Sequence, residues 1–444
     1  MSNVDKKLSV INGGRLIDGN GGAVTRNPTI VVEGKRIKAV GIAGQIKAPR
    51  GAKVINARKY TLMPGMFDCH AHLAAYNAAT FNNYRVAIFE VTPQLESFYV
   101  LFHAHMLFEM GFTTVRDLGR VTPRGQFTAE FCAVRDAINA GIVPGPRLIV
   151  CGRAIITNSH LDLVLPRAAL RQPDMVADGP WELRRLAREQ LRTGADLIKT
   201  SVSGGGGTAD EEPDVRNMTQ EELDAIVDEA HAFHKPVAAH CFTTQSHRMC
   251  VKAGVDTIEH IVFTDDETIA MIKDAGIPVI PTLSHRTDHA IEVRRRIGTP
   301  QNVLTKMKKI QPYTFESFKK FHQAGVKMAM GTDIGLDPEM GSNAGELEIY
   351  VKLGMSPMEA IQTATKNAAE ALGLGKDLGT LEPGKLADIV AVEGDPSRDI
   401  KVLQQRDNIK MVMKEGSIFV DKISNEKKYV MHPEPGSWKI IDNL

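Results

Sequence analysis

The chain has 444 residues, too many for one compact core, so a large domain with a smaller companion is expected. Apolar residues make up 43% and charged residues 24%, and a net charge of +1 excludes bulk electrostatic attraction to nucleic acid or an anionic membrane. The five cysteines (69, 132, 151, 241 and 250) are odd in number and lack C-x-x-C spacing, which fits reduced thiols rather than a disulfide framework.

The N-terminus, Met1 to Lys7, is polar with no apolar stretch behind it, and no apolar run approaches the roughly 20 residues of a membrane span. A cytoplasmic protein with no membrane partner is expected. Residues 1–61 read as short strands at Leu8–Ile11, Leu16–Ile17, Thr29–Val32, Ile37–Val40 and Lys53–Asn56, separated by glycine turns. The same texture returns over 377–444, in Gly379–Leu381, Asp388–Val392, Ile409–Lys414 and Ser417–Val420. Two β-rich ends predict a small β-sandwich domain formed from both chain termini.

Residues 62–376 alternate between apolar strands and amphipathic segments. The predicted strands are 62–70, 112–117, 147–152, 195–201, 236–241, 256–262, 278–283 and 326–332. Between them, helices are predicted at Gln94–Met110, Thr128–Ala140, Trp181–Arg192, Gln220–His234, Thr244–Ala253, Asp266–Ala275 and Lys306–Ala324, with two more near 344–353 and 357–372. Strands alternating with helices in this number predict an α/β fold of the (β/α)8 TIM barrel kind. Functional groups of such barrels sit at the C-terminal ends of the strands.

Polar residues stand at those ends here. The first strand closes on His70-Ala-His72, and side chains two apart on a strand share a face. A lone H-x-H is weak evidence, but four later strands add to it. Lys199 lies in Ala195–Ser201, His240 ends Pro236–His240, His260 ends Asp256–His260, and Asp333 follows Met328–Thr332. Imidazole and carboxylate suit Zn2+ and similar divalent ions, which lower the pKa of bound water toward about 7. A buried lysine with a depressed pKa is nucleophilic, and CO2 would convert Lys199 into a carbamate able to bridge two metals. Asp333 would then bind metal and move the proton from water to the leaving group.

On these residues the chain resembles the amidohydrolase superfamily, in the branch of imidazolonepropionase-like proteins and Xaa-Pro dipeptidases. The carrying stretches are Pro64–Leu73, Gly111–Asp117, Gly194–Lys199, His240, Ala253–His260, Gly331–Asp333 and Gly379–Asp388. The resemblance implies a metal-dependent hydrolase with His70, His72 and Asp333 on a first metal, His240 and His260 on a second, and carboxylated Lys199 between them. The stretch Gly204–Thr219 departs from the usual dipeptidase loop and is more similar to the phenylurea and thiocarbamate hydrolases, so one or two ions per chain remain open. Ile156–Asp162 replaces the family's Gly-Gly-His stretch while keeping His160.

Other motifs read more plainly. His103-Ala-His105 lies in a segment of helical period, where side chains two apart diverge, and is assigned to packing. Gly204–Gly207 lacks the Gly-Lys-Ser/Thr ending of a phosphate cradle and reads as an active-site loop. His231 and His234 belong at the far end of the barrel, on the surface. His160 and His285 follow strands on the functional rim, as substrate contacts or loop structure; Tyr76 and Arg286 are candidates for reading substrate polarity. Cys69 and Cys241 should face the helices. The expected activity is hydrolysis of an amide-like C–N bond in a small molecule: an aryl urea, anilide or (thio)carbamate. The alternatives are an Xaa-Pro dipeptidase-like or N-acyl amino acid hydrolase, and a mononuclear deaminase. Self-association into a homo-oligomer is expected.

Overall fold

A computed structural model describes residues 7–74, 91–119, 129–158, 176–207, 211–335 and 340–431. Both termini enter one eight-stranded sheet. It comprises β1 (Leu8–Leu16), β2 (Thr25–Arg26), β3 (Pro28–Glu33), β4 (Arg36–Ile42) and β5 (Lys53–Pro64), joined by β13 (Ile389–Val392), β14 (Ile409–Lys414) and β15 (Ser417–Asp421). The order is β15-β14-β13-β5-β1-β3-β4, with β2 on β1. The long β5 is the seam: it runs parallel to β1 and antiparallel to β13. Strands from both ends of the chain thus share one hydrogen-bonded sheet. Ile11, Ile30, Leu62, Ile389 and Met411 form its buried face.

The central part carries two parallel sheets. One is β6 (Met66–Ala71), β7 (Phe112–Asp117) and β8 (Arg147–Val150); the other is β9 (Ile198–Ser201), β10 (Val237–His240), β11 (Thr257–Glu259) and β12 (Val279–Ile280). Helices intervene: α1 (Pro93–Glu109), α2 (Glu130–Asn139), α3 (Pro180–Arg192), α4 (Gln220–Ala232), α5 (Thr244–Ala253) and α6 (Asp266–Asp274). Local chemistry sets their ends. Thr219 with Glu222 and Thr243 with Ser246 make capping boxes for α4 and α5, and Gly254 closes α5 in the left-handed conformation. The strands are buried on both faces, as covered parallel sheets require, with only His240 at the end of β10 partly exposed.

Parallel sheet segments rather than one continuous eight-stranded cylinder are what the ladders show. The two sheets are linked by isolated parallel bridges, Ile155 with Thr200 on one side, and Val279 with Met328 and Ala71 with Ile334 on the other. The predicted strand 326–332 is the element that departs from expectation. Its Met330 N–H donates to Thr363 O, outside the sheet, so the ladder on that segment is interrupted. Gly379–Leu381 is likewise no strand; Leu381 N–H turns instead to Asp18 O. A helix the sequence reading omitted, α7 (Asp288–Arg296), precedes α8 (Gln301–Ala324). The predicted helix at 357–372 is two, α10 (Pro357–Thr363) and α11 (Lys366–Ala371), after α9 (Gly345–Lys352). No helix among the described residues is long and apolar enough to cross a membrane.

Candidate metal centre

β6 is buried along its whole length. Phe67 and Cys69 pack with Ile280 and Ala329, so the alternate residues Asp68 and His70 face the other way. Asp68 ties two chain segments together: it accepts from His70 N (3.0 Å), Thr332 N (3.2 Å), Thr332 Oγ1 (2.7 Å) and Asn343 Nδ2 (2.6 Å). Asp333 N also donates to His70 O at 2.7 Å. His70 and Asp333, far apart in sequence, are thereby fixed against each other.

Three side chains converge as a result. His70 Nε2 lies 3.3 Å and His72 Nε2 2.9 Å from Asp333 Oδ1. Among the described residues these three form the one group of His, Cys, Asp or Glu whose ligand atoms meet closely enough to hold an ion. Their tautomers follow from their outer partners. Glu259 Oε2 is 2.7 Å from His70 Nδ1, and the Gly119 carbonyl takes His72 Nδ1–H. Both partners are acceptors, so the protons sit on Nδ1 and each Nε2 presents a lone pair. His70 Nε2 is buried and has no hydrogen-bond partner. Two imidazole lone pairs and a carboxylate aimed at one point repel unless a cation lies between them. The donor set therefore fits a divalent metal, with the histidines oriented by outer partners as metal-bound histidines usually are.

Electrostatics follow the same plan. Burial opposes ionisation of Glu259, but Arg116 and the His70 hydrogen bond outweigh it and hold the carboxyl down to about 2. Arg116 Nη2 reaches Glu259 Oε1 at 2.6 Å, while its other nitrogens hold Cys69 O and Thr257 Oγ1. Desolvation opposes ionisation of the half-buried Asp333, yet the neighbouring imidazoles, His285 first among them, keep it well below the usual carboxylate range. Burial works against charge on His72, but Asp333 and Asp117 together raise its pKa. Asp117, pushed up to about 6 by burial, accepts from Leu73 N (2.6 Å) and Gly119 N (2.7 Å), shaping the turn whose carbonyl holds His72. Gly119 has φ +62°, and a Cβ there would strike the Gly152 backbone.

The remaining expected ligands gather around this triad. Lys199 is buried; desolvation lowers its pKa, against the pull of Glu259 and Asp333. His240 and His260 stand with ring centroids 4.5 Å apart, and His260 is 5.0 Å from His70. Thr282 Oγ1, which donates to Pro281 O, accepts His260 Nδ1–H at 2.6 Å and leaves Nε2 available. His240 Nε2 is 3.2 Å from Gly204 O. His285 Nε2 lies 3.3 Å from Asp333 Oδ2, which makes it a partner of the carboxylate. Arg286 is buried with its guanidinium 5.1 Å from the Phe242 ring, which stacks on His240. Tyr76 and His160 lie outside the described residues.

His260 (φ 71°), Thr282 (φ 54°) and Asp333 (φ 59°) all adopt the left-handed conformation, each at the end of an adjacent strand segment. Strain of this kind concentrates at functional sites. Sequence reasoning missed the orienting partners Asp68, Arg116, Asp117 and Glu259. Signals for them existed: Asp68 shares the face of His70 by period two, and Arg116, Asp117 and Glu259 are charged residues inside otherwise apolar strands. The packing reading holds for His103, which is buried on Leu73 O, and the surface reading for exposed His231, bound to Asp256. Cys69 and Cys241 are fully buried.

Comparison with known proteins gives a family match. The model of the amidohydrolase family matches residues 61–419. Ochratoxinase of Aspergillus niger is 31% identical over 439 residues, covering 94% of this chain and 87% of that protein. The crystal structure of a Xaa-Pro dipeptidase with methionine bound in its active site superposes with a TM-score of 0.84 at 33% identity, over 93% of this chain and all of that one. Phenylurea hydrolase B shares the fold, with a TM-score of 0.77 at 24% identity over 96% of this chain and 100% of its own.

Proposed function

The chain belongs to the amidohydrolase family and is a hydrolase of C–N bonds, and from that premise we propose that it cleaves the amide of a small N-acyl amino acid or dipeptide, using a divalent metal held by His70, His72 and Asp333. The observation that carries this reading is the convergence of two outward-locked imidazoles and a carboxylate on one point. The site is read as the mouth of a (β/α)8 barrel that begins at β6, with the sheet of β1–β5 and β13–β15 as the smaller β domain; the boundary expected at residue 62 moves to Gly65, because Leu62–Pro64 pair with β13. A bound divalent ion, zinc being one this donor set suits, would polarise the scissile carbonyl and acidify a water.

The protein's own groups do the rest. Asp333, ionised and with Oδ2 beside His285, takes the proton of the attacking water and returns it to the departing nitrogen. Lys199, whose amine is favoured neutral by burial, adds CO2 with loss of a proton to become an anionic carbamate facing His240 and His260. Those two histidines would then serve a second ion.

Substrate choice follows from two supports. Relatives at 30% identity or more over most of the chain include an ochratoxinase and a Xaa-Pro dipeptidase, and Arg286 supplies a cation beside the histidines for a substrate carboxylate. The aryl urea, anilide or (thio)carbamate expectation rested on residues 204–219. The described part of that stretch is committed to a hairpin on β9, through Gly204 N to Val215 O and Asn217 N to Val202 O, and so carries less weight. The phenylurea hydrolase likeness in fold keeps these compounds in the test.

The assay is metal-loaded chain against a panel of N-acyl amino acids, Xaa-Pro dipeptides, aryl ureas, anilides and carbamates. Turnover of N-acyl amino acids or dipeptides is expected, falling at least about tenfold when the carboxylate is esterified. Faster turnover of uncharged ureas or carbamates would replace this substrate class by the second one.

A further inference from the structure

A cavity of about 650 Å³ opens at the end of the parallel strands opposite to His240, His260 and Asp333. Leu197, Pro236, Asp256 and Pro278, which line it, each immediately precede a strand of the second parallel sheet. Its acids are already engaged. Asp256 accepts from His231 Nε2 at 2.9 Å and Val237 N at 2.7 Å, and Glu370 accepts from Lys327 Nζ at 2.7 Å. The half-buried Lys235 ammonium, by contrast, has no ion pair or hydrogen bond among the described residues. One uncommitted lysine in a cavity whose apolar surface comes from Leu197, Pro278 and Leu372 matches a ligand with a single negative charge and an apolar body.

The inner wall adds a connection. Arg116 reaches the cavity, yet its guanidinium also binds Glu259 Oε1 at 2.6 Å, and Glu259 Oε2 holds His70 Nδ1 at 2.7 Å. Cys69 O, Thr257 Oγ1 and Glu259 take three of its five N–H groups. An anion below would compete with Glu259 for Arg116.

We propose that this cavity binds a small organic carboxylate, with Lys235 taking the charge and Leu197, Pro278 and Leu372 the apolar body, and that occupancy reaches His70 through Arg116 and Glu259. Loosening Glu259 from Arg116 frees His70 to tilt, so carboxylate binding speeds metal loss from the opposite end of the strands.

The test titrates the zinc-loaded full chain with 3-phenylpropionate by calorimetry and follows zinc release to a chelator in parallel. Binding of one carboxylate per chain is expected, weakened by roughly tenfold or more in Lys235→Glu and by less in Lys235→Gln. Zinc release should accelerate several-fold with 3-phenylpropionate in the wild type, not respond to it in Lys235→Glu, and ignore the uncharged 3-phenylpropionamide. The calorimetric arm, repeated on metal-stripped chain, stands whether or not the metal reading holds. Absence of binding, or binding and zinc release in both variants equal to those of the wild type, would overturn the proposal; the latter would put the carboxylate at the metal mouth.

Discussion

Glu259 Oε2 sits 2.7 Å from His70 Nδ1, and the same carboxylate is gripped on its other oxygen by Arg116 at 2.6 Å. The pair fixes which nitrogen of His70 faces the centre and how the ring is turned. Glu259→Gln keeps the shape but weakens both contacts, and metal affinity is expected to fall by about 10- to 100-fold. Glu259→Ala should in addition cost about 3–5 kcal/mol of stability, because the buried Arg116 charge loses its counter-ion. Chelator competition and urea unfolding separate the two effects. If Glu259→Gln retained metal as tightly as the wild type, His70 would not be oriented from behind.

Lys199 is a second point where structure and chemistry can be parted. Its ammonium is disfavoured by burial and faces Glu259 and Asp333, the environment in which a neutral amine reacts. On the proposed carbamate reading, Lys199→Ala is expected to lower kcat/KM by at least about a hundredfold, since an anionic bridge there would have no substitute nearby. Short carboxylic acids added to this variant should restore part of the rate. Full activity of Lys199→Ala without any additive would instead favour the mononuclear deaminase alternative.

His103 gives a pH prediction away from the metal. Burial lowers its pKa to about 4 from the ordinary 6.5, although the hydrogen bond to Leu73 O opposes this. Between those values the unfolded chain binds a proton that the native protein refuses, so stability must fall as pH drops through the window. At about pH 4.5 the loss is about 2–3 kcal/mol, and above pH 7 it vanishes. His103→Asn keeps an N–H near Leu73 O and cannot titrate. Urea unfolding of both proteins at about pH 7 and pH 4.5 should show the extra acid loss only in the wild type; parallel slopes would mean that His103 is protonated in the fold.

Much of the architecture follows from local pattern. β7 and α5 begin and end where apolar period and capping residues place them, because Thr243 and Gly254 are chemical boundaries. The candidate ligands His70, His72 and Asp333 were legible because strand ends are where period-two patterns stop on a polar residue. What escaped depends on contacts distant in sequence. Glu259 meets His70 across 189 residues and Arg116 across 143, so no window of sequence contains either pair. The interrupted ladder at 326–332 escaped for the same reason: Met330 N–H finds its acceptor on α10, and its apolar pattern is that of any buried strand. The left-handed turns at His260 and Asp333 carry no glycine to announce them; tertiary contacts impose them.

Gly331 is where that long-range geometry can be tested with one methyl group. Its φ is not left-handed, so alanine is sterically acceptable to the backbone itself. The obstacle lies across the strands: a Cβ would sit 2.8 Å from His70 Cβ and 2.9 Å from His70 N, and would also strike Ile280 Cγ2. Ile280 is fully buried, and His70 N is tied to Asp68 Oδ1 at 3.0 Å, so neither neighbour yields freely. Gly331→Ala is therefore expected to cost about 1–3 kcal/mol of stability, the usual size of an overpacked methyl. Because the displaced group is a proposed ligand, bound metal should drop more than the stability loss alone predicts. Gly345→Ala is the matched control: it opens α9, and its Cβ would meet nothing within 4 Å. Urea unfolding with metal counting on both variants gives the comparison. Equal metal content in Gly331→Ala and Gly345→Ala would mean that His70 can move without loss, and that its close packing against the 331–333 turn does not set the metal site.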